Sequence, residues 1–206
     1  TIKKKNNVFG LEINKLRREY VNKKLNIKCY NDIINIKKKN IKLDRIFLFY
    51  SIQYIKNPSN YISDLYGLLK KNGKIIILTP NKNDGIKNLW KNKKYTEFIY
   101  DNITINYFSL KSFEKLLKKL KIRDYKIKTI NGYSLFNHIN WYINKKPLSS
   151  NRVGRDQITE HLKNNFKMND AKSKKLFNKL KKFSNEYKLL LEKFNLGNQI
   201  ELIINK

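Results

Sequence analysis

Residues 43–81, LDRIFLFYSIQYIKNPSNYISDLYGLLKKNGKIIILTPN, constrain the fold more than any other stretch of the chain. Ile46, Phe47, Leu48 and Phe49 form a short unbroken apolar run, which suits a strand buried on both faces as in a parallel sheet. The run stops at Tyr50 and Ser51. Asn57-Pro58-Ser59 then punctuates the chain: the proline biases Asn57 away from helix, and Ser59 or Asn60 can cap the helix that follows. Tyr61, Leu65, Leu68 and Leu69 recur at helical spacing, and Asn72-Gly73 supplies a stop, because glycine readily accepts a left-handed conformation. Ile75, Ile76, Ile77 and Leu78 make a second buried run, ended by Thr79-Pro80-Asn81. Strand, helix and strand form one crossover unit, and ligands of open parallel sheets bind beyond the carboxyl ends of the strands. Residues 50–54 and 79–81 are therefore the first candidates for chemistry.

The flanks continue the alternation. Residues 8–11 read as a strand ending at Glu12, residues 16–24 as a helix, and residues 26–30 as a short strand followed by Asn31-Asp32. Residues 1–7 read as the tail of a helix, so the chain is expected to be a fragment of a longer one. This order favours an α/β domain with a mostly parallel sheet. Beyond Asn81, residues 82–106 hold Trp90, Tyr95, Phe98 and Tyr100 among polar residues and suggest a loop or lid with short helices. Ser109 or Ser112 caps a helix over 109–120, whose apolar stripe is Phe113, Leu116, Leu117 and Leu120. Residues 125–130 alternate as a less buried strand does, 133–142 are aromatic-rich, and 145–156 read as a loop. A long helix over 170–194 and a strand over 199–204 close the chain.

Lysine and arginine number 46 against 16 acids, a net charge of +30. Such an excess suits nucleic acid or an anionic surface. The lysines, however, are spread through almost every segment together with abundant Asn and Ile, as strongly AT-biased coding produces. The charge therefore reads as compositional, and nucleic acid is the alternative partner. The single Cys29 excludes an intramolecular disulfide and suits a reducing interior. No apolar run approaches the length of a membrane span, and residues 1–7 do not resemble a secretory signal, so the expected location is cytoplasmic. The two histidines and one cysteine show no metal-ligand spacing, and there is no phosphate loop or nucleophile elbow.

The runs VFGLEIN, NDII, LDRIFLFYSIQYIKNP and LLKKNGKIIILTPN, taken in order, resemble a class I S-adenosylmethionine-dependent methyltransferase. More narrowly they resemble the group that reads FDVI…LEH…P…LLKPGG…TPN. NYFSLKSFEKLLKKL is similar to that group's later YFS…SL..LL helix, and GYSLFNHINWYINKKP to an NHLYWL..GKP segment of bacterial members. The resemblance covers about residues 8–147. It implies a Rossmann-like methyltransferase sheet, mostly parallel with one antiparallel strand, and a helical insertion over 151–194 before the last strand. It also implies that the first strand, which carries the glycine-rich loop, lies upstream of Thr1. Gly10, alone within a strand, reads as a packing detail. The implied organisation is one domain over 1–206, with a cofactor-binding core in 1–130, an acceptor-side helical part in 131–196 and the final strand in 197–206. The implied cofactor is S-adenosyl-L-methionine and the implied acceptor a small molecule or sugar, with the insertion covering the pocket or mediating self-association into a homo-oligomer. The alternatives are a degenerate methyltransferase-like domain and a basic module that binds RNA or another polyanion.

Carried over residue by residue, the resemblance places Glu12 on the ribose hydroxyls, a task that suits a carboxylate with its several acceptor sites, with Ile13 beside it. Asp32 would accept from the adenine amino group and Ile33 cover the ring. Phe49, Tyr50 and Ser51 would bring their backbone to the cofactor. The plainer alternatives are an exposed glutamate at Glu12 and a turn at Asn31-Asp32. Asp44 matches the FDVI aspartate, at the strand end away from the site, and reads as structural. The group often has His at the position of Tyr50 and Glu-His at Gln53-Tyr54. Tyr50 does not readily serve as a base near neutral pH, so His138, in the aromatic segment 136–142, is the candidate general base. Its plainer role is to bridge that segment to the core. His161 is assigned nothing. Trp90, Tyr107, Phe108, Tyr133 and Trp141 either line the acceptor site or pack in the core.

Overall fold

A computed structural model describes residues 6–147 and 171–206. His161, most of the 145–156 loop and the first part of the expected insertion lie outside those residues. β1 (Phe9–Leu11) leads through α1 (Lys15–Lys24) to β2 (Lys28–Tyr30) and a short α2 (Ile33–Lys37). β3 (Leu43–Phe49), a 3₁₀ turn (Ile52–Tyr54), α3 (Pro58–Leu68) and β4 (Leu69–Pro80) form the crossover unit. After α4 (Gly85–Asn88), α5 (Lys93–Ile99) and α6 (Leu110–Lys119) come β5 (Tyr125–Ile130), α7 (Leu135–Asn144), α8 (Ala171–Lys193) and β6 (Gln199–Asn205).

β1 pairs parallel with β2, and β3 parallel with β4. β6 lies between β4 and β5, antiparallel to both, with Ile77 opposite Leu202 and Leu202 opposite Ile127. β5 therefore runs with β3 and β4, and β6 is the one reversed strand of the order β3-β4-β6-β5. This is the expected α/β architecture, mostly parallel with a single antiparallel strand. Among the described residues β1 and β3 each pair along one edge only. The core is made by Ile75 and Ile77 of β4, Ile200, Leu202 and Ile204 of β6, Ile62, Leu65 and Leu68 of α3, and Phe113 and Leu117 of α6. Each such side chain, fully buried, contributes about 1.5–3 kcal/mol.

Four local expectations need correction. The cap of α3 is Asn57, whose side chain accepts the N–H of Asn60, with Pro58 in the first turn. The proline's push of Asn57 away from helix leaves it in the non-helical conformation that an N-cap requires. Glycine is not the left-handed residue at the Asn72-Gly73 stop, nor at Gly197, where the sequence equally suggests that glycine ends the long helix. Asn72 (φ 64°) and Asn195 (φ 59°) take that conformation, and none of the glycines among the described residues has positive φ. Gly73 and Gly197 instead serve close approach, since a Cβ would sit 2.9 Å from the Lys70 carbonyl oxygen and 2.7 Å from that of Ile130 respectively. β3 is buried on one face, not two: Ile46 and Leu48 point into the core, while Phe47 and Phe49 are 55% and 57% exposed with no layer over them among the described residues. Finally, α2 and α7 occupy stretches that showed only turn signals and aromatic enrichment. Asp32 and Ser134 cap them. Gly10 is the packing detail expected of it, because a Cβ there would lie 2.8 Å from Cys29 Sγ.

Candidate functional site

Two groups of residues occupy the carboxyl ends of the parallel strands. The first lies where β1 and β2 end together. The Glu12 N–H donates to the Tyr30 carbonyl at 2.9 Å, which joins the two strand ends. Glu12 Oε1 accepts the N–H of Asn14 at 2.8 Å, and Asn14 in turn caps α1. Arg18 Nη1 donates to the carbonyls of Glu12 and Ile13 at 2.8 and 2.9 Å and fixes this turn. Glu12 Oε2 has no protein partner among the described residues. Ile13 is 76% exposed. On the adjoining strand end Asp32 caps α2: its Oδ1 accepts the Asn35 N–H at 2.9 Å and its Oδ2 the Asn35 side-chain amide at 3.2 Å. Asp32 is thus the turn residue of the plainer alternative, and Oδ2 keeps room for a second donor. Ile33 is half-buried against the core.

The second group lies at the ends of β3 and β4. Phe49 is exposed, and Tyr50 follows with φ 50° and its N–H on the Leu78 carbonyl at 2.8 Å. Ser51 begins the 3₁₀ turn. Gln53, at a position where the resembling group has Glu, is 4% exposed and accepts from Thr79 Oγ1 at 3.1 Å. Its carbonyl takes the N–H groups of Ile105 and Asn106, and Tyr54 donates to Asp101 at 3.3 Å. These two residues pin the 100–107 loop across the strand ends. Asn81 is also structural: its Nδ2 donates to the carbonyls of Asn195 and Gly197, tying β4 to the start of β6.

Beyond these ends lies a second core of aromatic residues. Ile86, Tyr95, Tyr133 and Trp141 are buried there, with Phe98 and Ile99 against them. Rings follow one another from Trp141 to Tyr95 (5.2 Å between centroids), Tyr95 to Tyr133 (6.1 Å), Tyr133 to His138 (6.5 Å) and His138 to Tyr187 (5.2 Å). Asp84 is the acid in this setting, 3% exposed. It accepts the Tyr95 hydroxyl and, at 2.6 Å, the Ile86 N–H. Burial pushes its carboxyl up to about 6, with those two hydrogen bonds pulling the other way. Tyr100 and Tyr133 are raised by burial first and by the Asp84 charge second.

His138 is 1% exposed, and its Nδ1 lies 2.8 Å from the Tyr187 hydroxyl. Trp90 Nε1 is 3.2 Å from the same oxygen. An indole N–H can only donate, so Tyr187 oxygen accepts from Trp90 and its own proton goes to His138 Nδ1. The network assigns the imidazole proton to Nε2, which has no partner among the described residues. The opposite tautomer strands the Tyr187 proton as well. Burial lowers the ring's pKa to about 3, so it is neutral at physiological pH. On this assignment neutral His138 carries an N–H, not a lone pair, at Nε2, which is buried and has no partner among the described residues. The geometry fits the plainer role of His138: in this network its Nδ1 is engaged by Tyr187, and the ring bridges α7 to α8.

Of the candidate acceptor-site aromatics, Phe108 stacks on Phe113 at 4.3 Å in the main core and Trp141 anchors the second core. Tyr107 is exposed beside Tyr100, and Trp90 and Tyr133 flank His138. Asp44 ion-pairs with Lys70 at 2.9 Å, at the opposite end of β3. Asp84 and Tyr187 were not singled out from the sequence. Asn-Asp-Gly at 83–85 reads as a turn, and only the cap at the start of α4 signals Asp84.

A family model described as a methyltransferase domain matches residues 3–121. No curated protein matches the sequence. Among solved structures, an S-adenosylmethionine-dependent methyltransferase from Archaeoglobus fulgidus superposes with a TM-score of 0.54 at 13% identity, over 96% of this chain and 75% of that one. The plantazolicin methyltransferase BpumL, in complex with SAH, gives 0.55 at 20% identity, over 100% of this chain and 68% of that one. At these identities the structural likenesses speak for the fold.

Proposed function

The chain belongs to the methyltransferase-domain family, and from that premise we propose that it transfers a methyl group from S-adenosylmethionine to a small-molecule acceptor held beside the aromatic core. The observation that carries the reading is Glu12: a carboxylate at the end of β1 with one oxygen anchored by Asn14 and the other without a protein partner among the described residues. That arrangement fits a nucleoside. Glu12 Oε2 accepts from ribose hydroxyls, Asp32 Oδ2 from the adenine amino group, and Ile33 and the exposed Ile13 offer apolar surface to the ring. The backbone of Phe49, Tyr50 and Ser51 lines the opposite side. In the proposed arrangement a further strand, carrying the glycine-rich turn, pairs with the open edges of β1 and β3, and its helix covers Phe47 and Phe49.

When bound, the cofactor supplies an electrophilic sulfonium methyl for in-line displacement by an acceptor oxygen, nitrogen or carbon. The protein's part is proximity and alignment, worth far more than proton transfer for a nucleophile that is already neutral and basic. Trp90 shapes the acceptor side, backed by the buried Tyr133, His138 and Tyr187 network. Calorimetric titration of the full-length protein with S-adenosylmethionine and S-adenosylhomocysteine tests this reading. Saturable binding that falls about tenfold or more in Glu12→Ala is expected for a lost hydrogen bond to a charged group. Absence of binding to both ligands sinks the enzyme reading, and unchanged affinity in Glu12→Ala rejects the ribose role.

A further inference from the structure

Methyl transfer leaves the outer side of α8 unused. The helix rests on the body through Phe177, Leu180, Ser184, Tyr187 and Leu191, all half-buried or buried. Ser184 accepts the Leu135 N–H, and Leu191 meets Gly85. Next to this contact runs a second apolar stripe. Leu176, Phe183 and Leu190 recur every seven residues and Phe194 follows just past the helix end, so all four fall on one helix face. They are 47%, 58%, 52% and 62% exposed. Beyond the stripe, on the side away from the body, stand the exposed Lys175, Lys179, Lys182 and Lys193, with Glu186 the one acid among them. Over residues 174–193 there are seven lysines and two glutamates, and Glu192 is turned inward, where it accepts the Asn131 N–H at 2.7 Å.

We propose that this face of α8 docks on an anionic lipid surface. An apolar ridge edged by lysines lies in the headgroup layer with its Leu and Phe side chains among the acyl chains, while the lysine stems run alongside and their ammonium groups reach the phosphates. The charge selects against a second copy of the chain, which would set lysines against lysines. Leu176 and Leu190, half of the stripe, offer no ring on which a base could stack, which selects against nucleic acid, bound through phosphates and stacked bases. No described helix is long and apolar enough to cross a membrane, so the contact is peripheral. The proposal does not depend on the methyl-transfer reading.

Sedimentation of the full-length protein with phosphatidylcholine vesicles, with and without phosphatidylglycerol, tests it. Binding is expected only to the anionic vesicles. The double variant Phe183→Ser/Leu190→Ser, which touches exposed side chains and is expected to keep its melting temperature, is expected to bind about tenfold or more weakly. Lys179→Glu/Lys182→Glu is expected to lose at least as much. Failure to bind anionic vesicles overturns the proposal, as does equal binding by the apolar double variant, which would reduce the attraction to general charge. A dimer in sedimentation velocity that the apolar variant abolishes assigns the stripe to a second copy. A lowered melting temperature of that variant without lipid assigns it to another part of the chain. Either result overturns lipid docking.

Discussion

The two sides of the candidate site are built on opposite rules. Where β1 and β2 end, Glu12, Ile13 and Asp32 lie at or near the surface, and the backbone hydrogen bonds that the two carboxylates accept come from neighbours two or three residues away, Asn14 and Asn35. On the other side Asp84 and His138 are 3% and 1% exposed. His138 there is held by Tyr187, separated from it by 49 residues. Groups at the surface can exchange water for a ligand at little cost to the fold. A buried network is itself part of the fold, and each of its members carries the desolvation penalty of being left unpaired. Substitutions on the first side should therefore change binding, and those on the second should change stability and protonation.

Trp141→Ala puts the largest strain on this comparison. The indole is 1% exposed and packs on Tyr95 and Phe98, each 5.2 Å away, so truncation is expected to cost about 3–5 kcal/mol in chemical denaturation. Asp84→Asn comes next. The native carboxyl is raised from 3.8 to about 6, so the folded state holds its proton where the unfolded chain has released it. The stabilising contribution is complete below the unfolded value and is lost as pH rises through about 6. Relative to Asp84→Asn, the parent protein should lose up to about 3 kcal/mol between pH ~4 and ~7; parallel stability profiles would show that Asp84 is not a buried charge. Tyr187→Phe removes the partner of both Trp90 and His138 and is expected to cost about 1–2 kcal/mol. Nitrogen-15 NMR should find the parent His138 protonated on Nε2 and unresponsive to pH near neutrality, and should find that preference lost in the variant. A His138 that titrates near its ordinary value would restore it as a base. Smallest in stability is Glu12→Ala, within about 0.5 kcal/mol, although it carries the largest expected loss of cofactor affinity. A destabilisation matching that of Trp141→Ala would erase the distinction between the two sides.

Much of the fold is legible in short stretches. The apolar runs of β3 and β4, the Ser109 and Ser112 capping box of α6 and the position of Glu12 after a strand all follow from neighbours within a few residues. The site is less legible. Asn31-Asp32 suits both a turn and a ligand, and local sequence does not reveal that Asp32 also caps α2. Gln53 and Tyr54 look like lost catalytic groups until their bonds to Thr79 and Asp101 show them holding the loop. Asp84 hides in a turn signal because its importance comes from Tyr95, Tyr133 and Tyr187, which the chain brings to it from three other places.

By itself, then, the sequence determined the order of elements, the α/β class and the chemistry available at the strand ends, because propensity, capping and periodicity act over a few residues. Tertiary structure alone decided that β3 is covered on one face, that Asn72 and Asn195 take the left-handed turns while Gly73 and Gly197 admit close neighbours, and that His138 is buried against Tyr187. It also decided which stripe of α8 is left to solvent. Burial and protonation depend on the solvent excluded and the partners assembled by distant segments, and no local pattern encodes either.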